Sequence, residues 1–310
     1  MNTLREAVQE YLSLRRGLGF KLREYGARLF DFAAFMEQRK ASYITHKLAL
    51  TWAQAPPALP SEWARRFGFV RVFARYRSAS DPRTEIPPNG LLRYRSTRVR
   101  PYLYSDLEIR TLLDATLKLR CRTTLRPWTY YCLFGLLSVS GLRLGEALNL
   151  ELQDVDLEAA VLTIRSGKFG KSRLVPLHSS TRDVLADYIA RRNRFAVGRS
   201  VSSNVLVSSR GKRLHDRVVH ETFNALLRQI GLRGPSDSRG PRLHDFRHRF
   251  AVLTLLNWYR SGKDAERLLP ILSTYLGHVH VSDTYWYLQS WPELMREAMA
   301  RLERRWEEQP

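Results

Sequence analysis

Cysteine is nearly missing from this chain of 310 residues: there are two, Cys121 and Cys132, without partner pairs. That excludes a disulfide scaffold and a cysteine-based zinc site, and it fits a reducing compartment. Long apolar runs are missing too. The most apolar stretch, Tyr130 to Val139, is about half of the ~18 residues a membrane span needs, and it reads as a buried helix. The opening Met1-Asn2-Thr3-Leu4-Arg5-Glu6 has no apolar signal core, so export is not expected and a cytoplasmic location is. There is no glycine-rich phosphate loop and no cluster of Asp and Glu, which excludes a nucleotide-driven engine and two-metal phosphoryl transfer. No internal repeat is visible.

Lysine is the scarce cation. Of 51 basic residues only eight are Lys and 43 are Arg, against 30 acidic residues, for a net charge of +21 and a pI near 10.5. Arginine forks bind phosphate in bidentate fashion where lysine is a point charge, so the excess points to a polyanion, most simply double-stranded DNA. The plain alternative is a GC-rich codon bias that places Arg at every surface site. With 44% hydrophobic residues the chain can fill a core, and its length suggests two domains.

Four short amphipathic helices are expected over residues 1–90. Leu4, Val8, Tyr11 and Leu12 mark the first, closed by Gly17 and Gly19; Tyr25, Leu29, Phe32 and Met36 mark the second. Leu48 and Trp52 mark the third, which stops at Pro56-Pro57. Ser61 can cap a fourth carrying Trp63, Phe67, Val70 and Phe73. Helix breakers at Asp81-Pro82 and Pro87-Pro88-Asn89-Gly90 precede a basic linker, residues 91–100, with Arg93, Arg95, Arg98 and Arg100. Such a linker can track a phosphate backbone or be a solvated tether. A second domain, 101–310, opens on the capping box Ser105-x-x-Glu108 before Leu107, Ile109 and Leu112. Helices follow to about 150, then a hairpin of two strands, Ala160–Arg165 and Arg173–Leu177, around the turn 166–172. A third short strand is expected at Asn204–Val207, and helices over 180–194, 215–230, 244–260, 264–276 and 291–307. The fold class is therefore mainly α with a small antiparallel β-sheet.

Attack on a phosphodiester without metal needs an in-line nucleophile, cations on the non-bridging oxygens, and an acid for the leaving alkoxide. One ordered set fits. Gly141-Leu142-Arg143…Glu146 ends the apolar helix, and the hairpin turn carries Gly167-Lys168, followed by Lys171-Ser172-Arg173-Leu174-Val175-Pro176-Leu177. His244-Asp245-Phe246-Arg247-His248 comes next, then Leu276-Gly277-His278, with Tyr287 nine residues beyond the histidine. Each piece alone is weak. In isolation Arg143 reads as a surface partner of Glu146 at i,i+3, Lys168 as a solvated turn lysine, His244 as a helix cap, and Tyr287 as core beside Tyr275, Tyr285 and Trp286. His244 and His248 stand at i,i+4, a metal-ligand spacing, without the Glu of a metalloprotease helix. The order, intervals and contexts together carry the weight.

Taken together, the set resembles the tyrosine recombinase (phage integrase) family over roughly 105–290. The resemblance implies an all-α, four-helix, SAM-like core-binding domain and a mixed α/β catalytic domain. It implies that Arg143 and Arg247 clamp the scissile phosphate, that Lys168 is the acid for the 5′ oxygen, and that His244 is the acid/base. His278 would hydrogen-bond the phosphate and Glu146 would orient the cluster. Tyr287 would form a 3′-phosphotyrosyl bond, with Tyr285 its rival and Lys171 the rival of Lys168. No cofactor or metal is implied. The implied partners are DNA with inverted core sites and further copies of the chain in a tetrameric synapse, with partner recombinases and a nucleoid-associated place. Arg93, Arg95, Arg98, Arg100, Lys171 and Arg173 are the candidate DNA contacts.

The chain departs from the family pattern in three places. His244 to His278 is longer than in simpler relatives, around Trp258 to Lys263; Arg249 stands where a small hydroxyl residue is common; Leu288-Gln289 replaces a frequent His. The run Leu268 to His278 with Thr284 to Leu288 resembles transposon-associated integrases. Leu294, Met295, Ala298, Met299, Leu302 and Trp306 form an apolar stripe that can dock on a neighbouring subunit or on its own core. The competing functions are a type IB topoisomerase and a catalytically idle DNA-binding accessory protein.

Overall fold

The computed structural model describes residues 3–92, 100–120, 125–165, 172–237, 239–278, 280–289 and 291–307, except the side chains of 288, 289, 302 and 304–307. The chain divides into two compact units, Met1–Val99 and Arg100–Pro310. Among the described residues there are thirteen α-helices and one three-stranded antiparallel sheet.

The first unit is four helices: α1 Leu4–Gly17, α2 Arg23–Gln38, α3 His46–Gln54 and α4 Pro60–Arg77. Thr3 and Glu6 close a capping box on α1, and Thr45 Oγ1 accepts from Leu48 N at 3.2 Å on α3. Ser61 does not cap α4. Leu59 holds the cap position without a side-chain bond, and Pro60 starts the helix, since its fixed φ and missing N–H suit the first turn. Val8, Leu29, Phe32, Met36, Val70 and Phe73 are fully buried. Burial contributes roughly 1.5–3 kcal/mol for each such large apolar side chain to the packing of the four helices.

In the second unit α5 (Asp106–Leu117) starts on the Ser105–Glu108 box. Leu107 does not join the apolar face; it is 73% exposed, while Ile109, Leu112 and Ala115 are buried. Helix α6 (Leu125–Ser140) is the central element, buried on nearly every side, and α7 (Leu144–Asn149) follows it after a tight turn. The sheet runs β1 (Val155–Asp156), β2 (Val161–Ile164), β3 (Arg173–Pro176), with Leu162 opposite Val175 and Ile164 opposite Arg173. The third strand is thus Val155–Asp156 and not Asn204–Val207. That later run is buried, but it makes only isolated bridges, Glu151 with Asn204 and Val207 with Arg213. Its apolar character comes from burial on both sides, which sequence alone does not separate from strand pairing.

The remaining helices are α8 (Ser179–Ala196), α9 (Asp216–Gln229), α10 (Leu243–Arg260), α11 (Ala265–Leu276), α12 (Ser282–Gln289) and α13 (Pro292–Glu307). Of the extra length around Trp258 to Lys263, α10 takes Trp258 to Arg260, and a turn at Ser261 and Gly262 takes the chain on toward α11. α10 joins two cores. Leu243 and Phe246 belong to the cluster around α6, while Ala251, Val252, Leu255 and Leu256 pack with α11, Tyr287 and Leu294. The stripe on α13 is split: Leu294 is buried, whereas Met295 and Met299 are 49% and 57% exposed. No helix among the described residues is long and apolar enough to cross a membrane.

Candidate active site

Two glycine turns build the site. After α6, Gly141 turns the chain at φ 62°, and a Cβ there would lie 2.6 Å from the Phe250 ring. Glycine is therefore required twice over, by backbone and by space. The turn delivers Arg143 to the N-cap of α7, where its backbone N–H donates to Glu146 Oε2 at 2.9 Å and its Nη1 to Oε1 at 2.8 Å. The i,i+3 spacing is thus an ion pair, and the pair is more than a surface contact: Arg143 Nη2 also donates to the Gly277 carbonyl at 3.0 Å.

Gly277 ends α11 in the left-handed conformation, φ 66°. The last carbonyls of a helix have no partner within it. Here three in a row each accept from a different arginine. Arg173 Nε donates to Tyr275 O at 2.6 Å, Arg247 Nη2 to Leu276 O, and Arg143 Nη2 to Gly277 O at 3.0 Å. A Cβ on Gly277 would approach Arg173 Nη1 to 3.1 Å and Arg143 Nη1 to 3.4 Å.

Arg247, on α10, is 1% exposed. Its Nη1 donates to Gly141 O at 2.8 Å, so its guanidinium bonds two carbonyls and no carboxylate among the described residues. Burial, with Arg143 close by, pushes its pKa down to about 10. A buried cation of this kind is costly until an anion joins it. Asp245, beside it, is already occupied: it caps α10 through Arg242 N at 2.8 Å and pairs with Arg242 Nη2 at 2.9 Å.

Glu146 is the carboxylate that serves the cluster. It accepts twice from Arg143 and twice from Arg173, whose Nη1 and Nη2 lie at 3.0 and 2.8 Å. Burial would raise its pKa, but the bonds and charges of Arg173 and Arg143 win and hold it at about 2.

Tyr287 sits on α12 and is 3% exposed, whereas Tyr285 on the same helix is 51% exposed. Burial raises the Tyr287 hydroxyl's pKa, opposed by the charge and hydrogen bond of Arg247. Its ring lies 5.4 Å from that of His248 and 6.2 Å, nearly parallel, from that of His278. His278 Nδ1 bonds Thr284 Oγ1 at 2.8 Å, which ties the α11–α12 turn to the helix carrying Tyr287. His244 lies at the open edge, its ring 4.7 Å from His248. Desolvation, then the charge of Arg247, pushes both His244 and His278 down to about 4. His248 is pushed to about 3 by burial and then by His244. All three are neutral imidazoles near neutral pH.

The structure thus brings Arg143, Glu146, His244, Arg247, His278 and Tyr287 together. Lys168, Lys171, Arg93, Arg95 and Arg98 lie outside the described residues. Arg100 is exposed and stands 4.2 Å over the Trp291 ring. Arg173, read from the sequence as a DNA contact, has its guanidinium on Glu146 and on the Tyr275 carbonyl, with its side chain 10% exposed. Arg249 donates to Tyr104 O at 2.8 Å and pairs with Asp106, which fastens α10 to the start of α5. Sequence reading gives His248 a metal-ligand spacing with His244 but no part in the phosphoryl chemistry, although that i,i+4 spacing already puts both on one face of α10. Its Nδ1 is buried with no hydrogen-bond partner among the described residues. No group of three His, Cys, Asp or Glu among those residues could hold a metal ion.

The phage integrase family model matches residues 105–293. A Sinorhizobium fredii protein carrying the name integrase/recombinase y4rB is 64% identical over 99% of both chains. The tyrosine recombinase XerD of Caulobacter vibrioides is 30% identical, over 74% of this chain and 70% of its own. The chain belongs to the phage integrase family of tyrosine recombinases. Its fold is that of the Tn1549 transposon integrase in complex with transposon right end DNA (TM-score 0.66, 14% identity, 96% of this chain and 98% of that one). It is also that of a lambda integrase dimer bound to a core site (TM-score 0.62, 16% identity, 92% and 77%).

Proposed function

We propose that the chain is a site-specific DNA recombinase that cuts and rejoins strands through Tyr287, with no metal and no ATP. The observation that carries this reading is the meeting of a buried tyrosine with two arginines, one of them buried on two carbonyls and on the tyrosine itself. An entering phosphate would supply the missing anion. Arg143 and Arg247 hold its non-bridging oxygens, a clamp of the kind worth ~10³–10⁵ in rate. The Tyr287 oxygen forms the bond to phosphorus, and its proton passes to the histidine cluster, with His244 as the acid/base. The bond from phosphorus to the 5′ oxygen breaks, and Lys168 gives that oxygen its proton. His278 adds a hydrogen bond to the phosphate, and Glu146 keeps Arg143 in place. The phosphotyrosyl bond stores the energy, so rejoining is the reverse step with another strand's 5′ hydroxyl.

Residues 1–90 serve as the DNA core-binding domain, and the basic linker with Arg93, Arg95, Arg98 and Arg100 follows the backbone, helped by Lys171. The +21 charge supports this. The DNA is double-stranded with inverted core sites, and four copies form the synapse. The reaction moves a mobile element, in the cytoplasm at the nucleoid; the likeness in fold to the Tn1549 transposon integrase supports the mobile element. The test is covalent trapping with EDTA on nicked duplexes cut from the flanks of the gene. Wild type, Tyr287→Phe and Tyr285→Phe are run on a denaturing gel. A protein–DNA band lost only in Tyr287→Phe is expected. A band lost only in Tyr285→Phe would move the nucleophile. Tight binding without any band would favour an idle accessory protein, and sequence-independent relaxation of plasmid a topoisomerase.

A further inference from the structure

We propose that Arg173 is a positioning residue of strand cleavage: it ties the base of the β2–β3 hairpin to the carboxylate that orients Arg143. The proposal rests on the reading of Arg143 and Tyr287 above. Three observations carry it.

The first is geometric. The fork of Arg173 meets Glu146 with two parallel bonds, at 3.0 and 2.8 Å, while its Nε takes the Tyr275 carbonyl at 2.6 Å. Planar bidentate pairing of this kind fixes both partners, and a lysine cannot reproduce it. One side chain therefore binds the end of α11 and the start of α7 to strand β3. The register, with Arg173 opposite Ile164, sets it at the end of the β2–β3 pairing, next in sequence to the segment that includes Lys168.

The second is saturation. A carboxylate offers about four acceptor sites. Arg143 fills two in Glu146 and Arg173 the other two. Without Arg173, two acceptor sites would be left empty on a side chain only 6% exposed, and the carboxyl would turn to regain partners. Arg143 would follow, because its own Nη1 is held by Glu146.

The third is charge. One carboxylate now faces two guanidiniums, so the trio keeps a positive charge for the phosphate. Remove Arg173, and Glu146 neutralises Arg143 outright. A DNA-contact role needs the opposite of what is seen: free N–H groups and an open side chain. The exposed neighbour on β3 is Leu174, at 64%.

The test uses Arg173→Lys and Arg173→Gln in the full chain, on the nicked duplexes described above. In a Tyr287→Phe background, both variants are expected to bind DNA within about twofold of their parent, with the same slope of affinity against salt. With Tyr287 intact and DNA saturating, covalent complex is expected to form ~10²-fold more slowly in both, the usual effect of a misplaced clamp. In a Glu146→Gln background, adding Arg173→Gln should cost less than about threefold, because the two residues act as one unit. Unchanged DNA affinity also reports that the variants fold. Weaker binding with a salt slope shallower by about one would make Arg173 a phosphate contact and overturn the proposal. Fully additive losses with Glu146→Gln would overturn it as well. If wild type itself gave no Tyr287-dependent band, the function reading would fail, while the binding and salt measurements would still decide between a DNA contact and an interior role.

Discussion

Each unit of this protein buries arginines, and one from each, Arg66 and Arg247, have opposite surroundings. Arg66 in the first unit is 5% exposed and stands 3.9 Å over the Trp52 ring. Its Nη2 donates to the Trp52 carbonyl at 3.0 Å and lies 3.6 Å from Asp31. Arg247 in the second is 1% exposed and bound to two carbonyls, with Arg143, Arg173, Glu146, Tyr287 and the three histidines around it. Arg66 has an aromatic face and a carboxylate, so its charge is met within the fold. Arg247 has Arg143 beside it and makes no bond to a carboxylate; Glu146 acts on it only at a distance, so an arriving anion is what meets its charge directly. Burial alone does not separate a structural cation from a reactive one; the sign of its neighbours does.

The largest expected effect tests the second arginine. Arg247→Gln should slow covalent complex formation by ~10³-fold or more at saturating DNA, since it removes a charge from the developing phosphorane. It should also lower stability by about 1–3 kcal/mol, because the Gly141 and Leu276 carbonyls lose a donor. A variant that cleaves within about tenfold of wild type would dissolve the contrast between the two arginines.

A smaller effect lies in the acid limb of stability, and it belongs to the same cluster. Glu146 is held at about 2 in the fold, well below the ordinary value of 4.5. A depressed carboxyl adds stability above its unfolded pKa and loses it as pH falls toward the folded one. The window is therefore from about pH 4.5 down to about 2, and the contribution is about 3 kcal/mol above it. His244, His248 and His278, held at about 4, 3 and 4, act in the same direction, since unfolding lets them charge from about pH 6.5 downward. Chemical denaturation across pH 3 to 7 should show stability falling on acidification. The slope below about pH 4.5 should flatten in Glu146→Gln, and the slope between about 5 and 6.5 should remain. An unchanged slope below pH 4.5 would mean that the arginines do not hold the carboxyl ionised.

Much of the first unit's architecture was legible in the sequence because local rules decide it. Helical spacing placed Leu4, Val8 and Leu12 inward, and in the second unit the Ser105–Glu108 box marks its helix. Leu107 and Ser61 show where those rules stop. Both lie in the first turn of a helix, where the chain's entry angle and not the apolar period sets what is covered. In the site, Arg143 and Glu146 are three apart, and their pairing could be read directly. The bond from Arg173 to Tyr275 spans 102 residues, and the packing of His248 on Tyr287 joins two helices. No local pattern announces either, and both depend on how α10, α11 and β3 converge. Arg173 stood among the candidate DNA contacts, and no local pattern announces that its guanidinium pairs with Glu146, 27 residues away.

The smallest expected effect tests the first arginine. Arg66→Met keeps most of the volume over Trp52 and removes the charge. It gives up the contact between cation and ring and the bond to the Trp52 carbonyl, which oppose it by about 1–2 kcal/mol. It also relieves the desolvation of a guanidinium whose Nε has no hydrogen-bond partner among the described residues, and whose pKa is lowered by that burial. Replacing a buried charge by an apolar chain of similar size is often close to neutral, so the net change should stay within about 1 kcal/mol. Denaturant unfolding of the full chain measures it, and the rate of covalent complex formation should not move. A loss of more than about 3 kcal/mol would mean that Asp31 and Trp52 hold Arg66 far more tightly than exposed ion pairs and ring contacts do. A loss of cleavage without a loss of stability would mean that Arg66, too, answers to the phosphate, and the distinction between the two buried arginines would rest on something other than the sign of their neighbours.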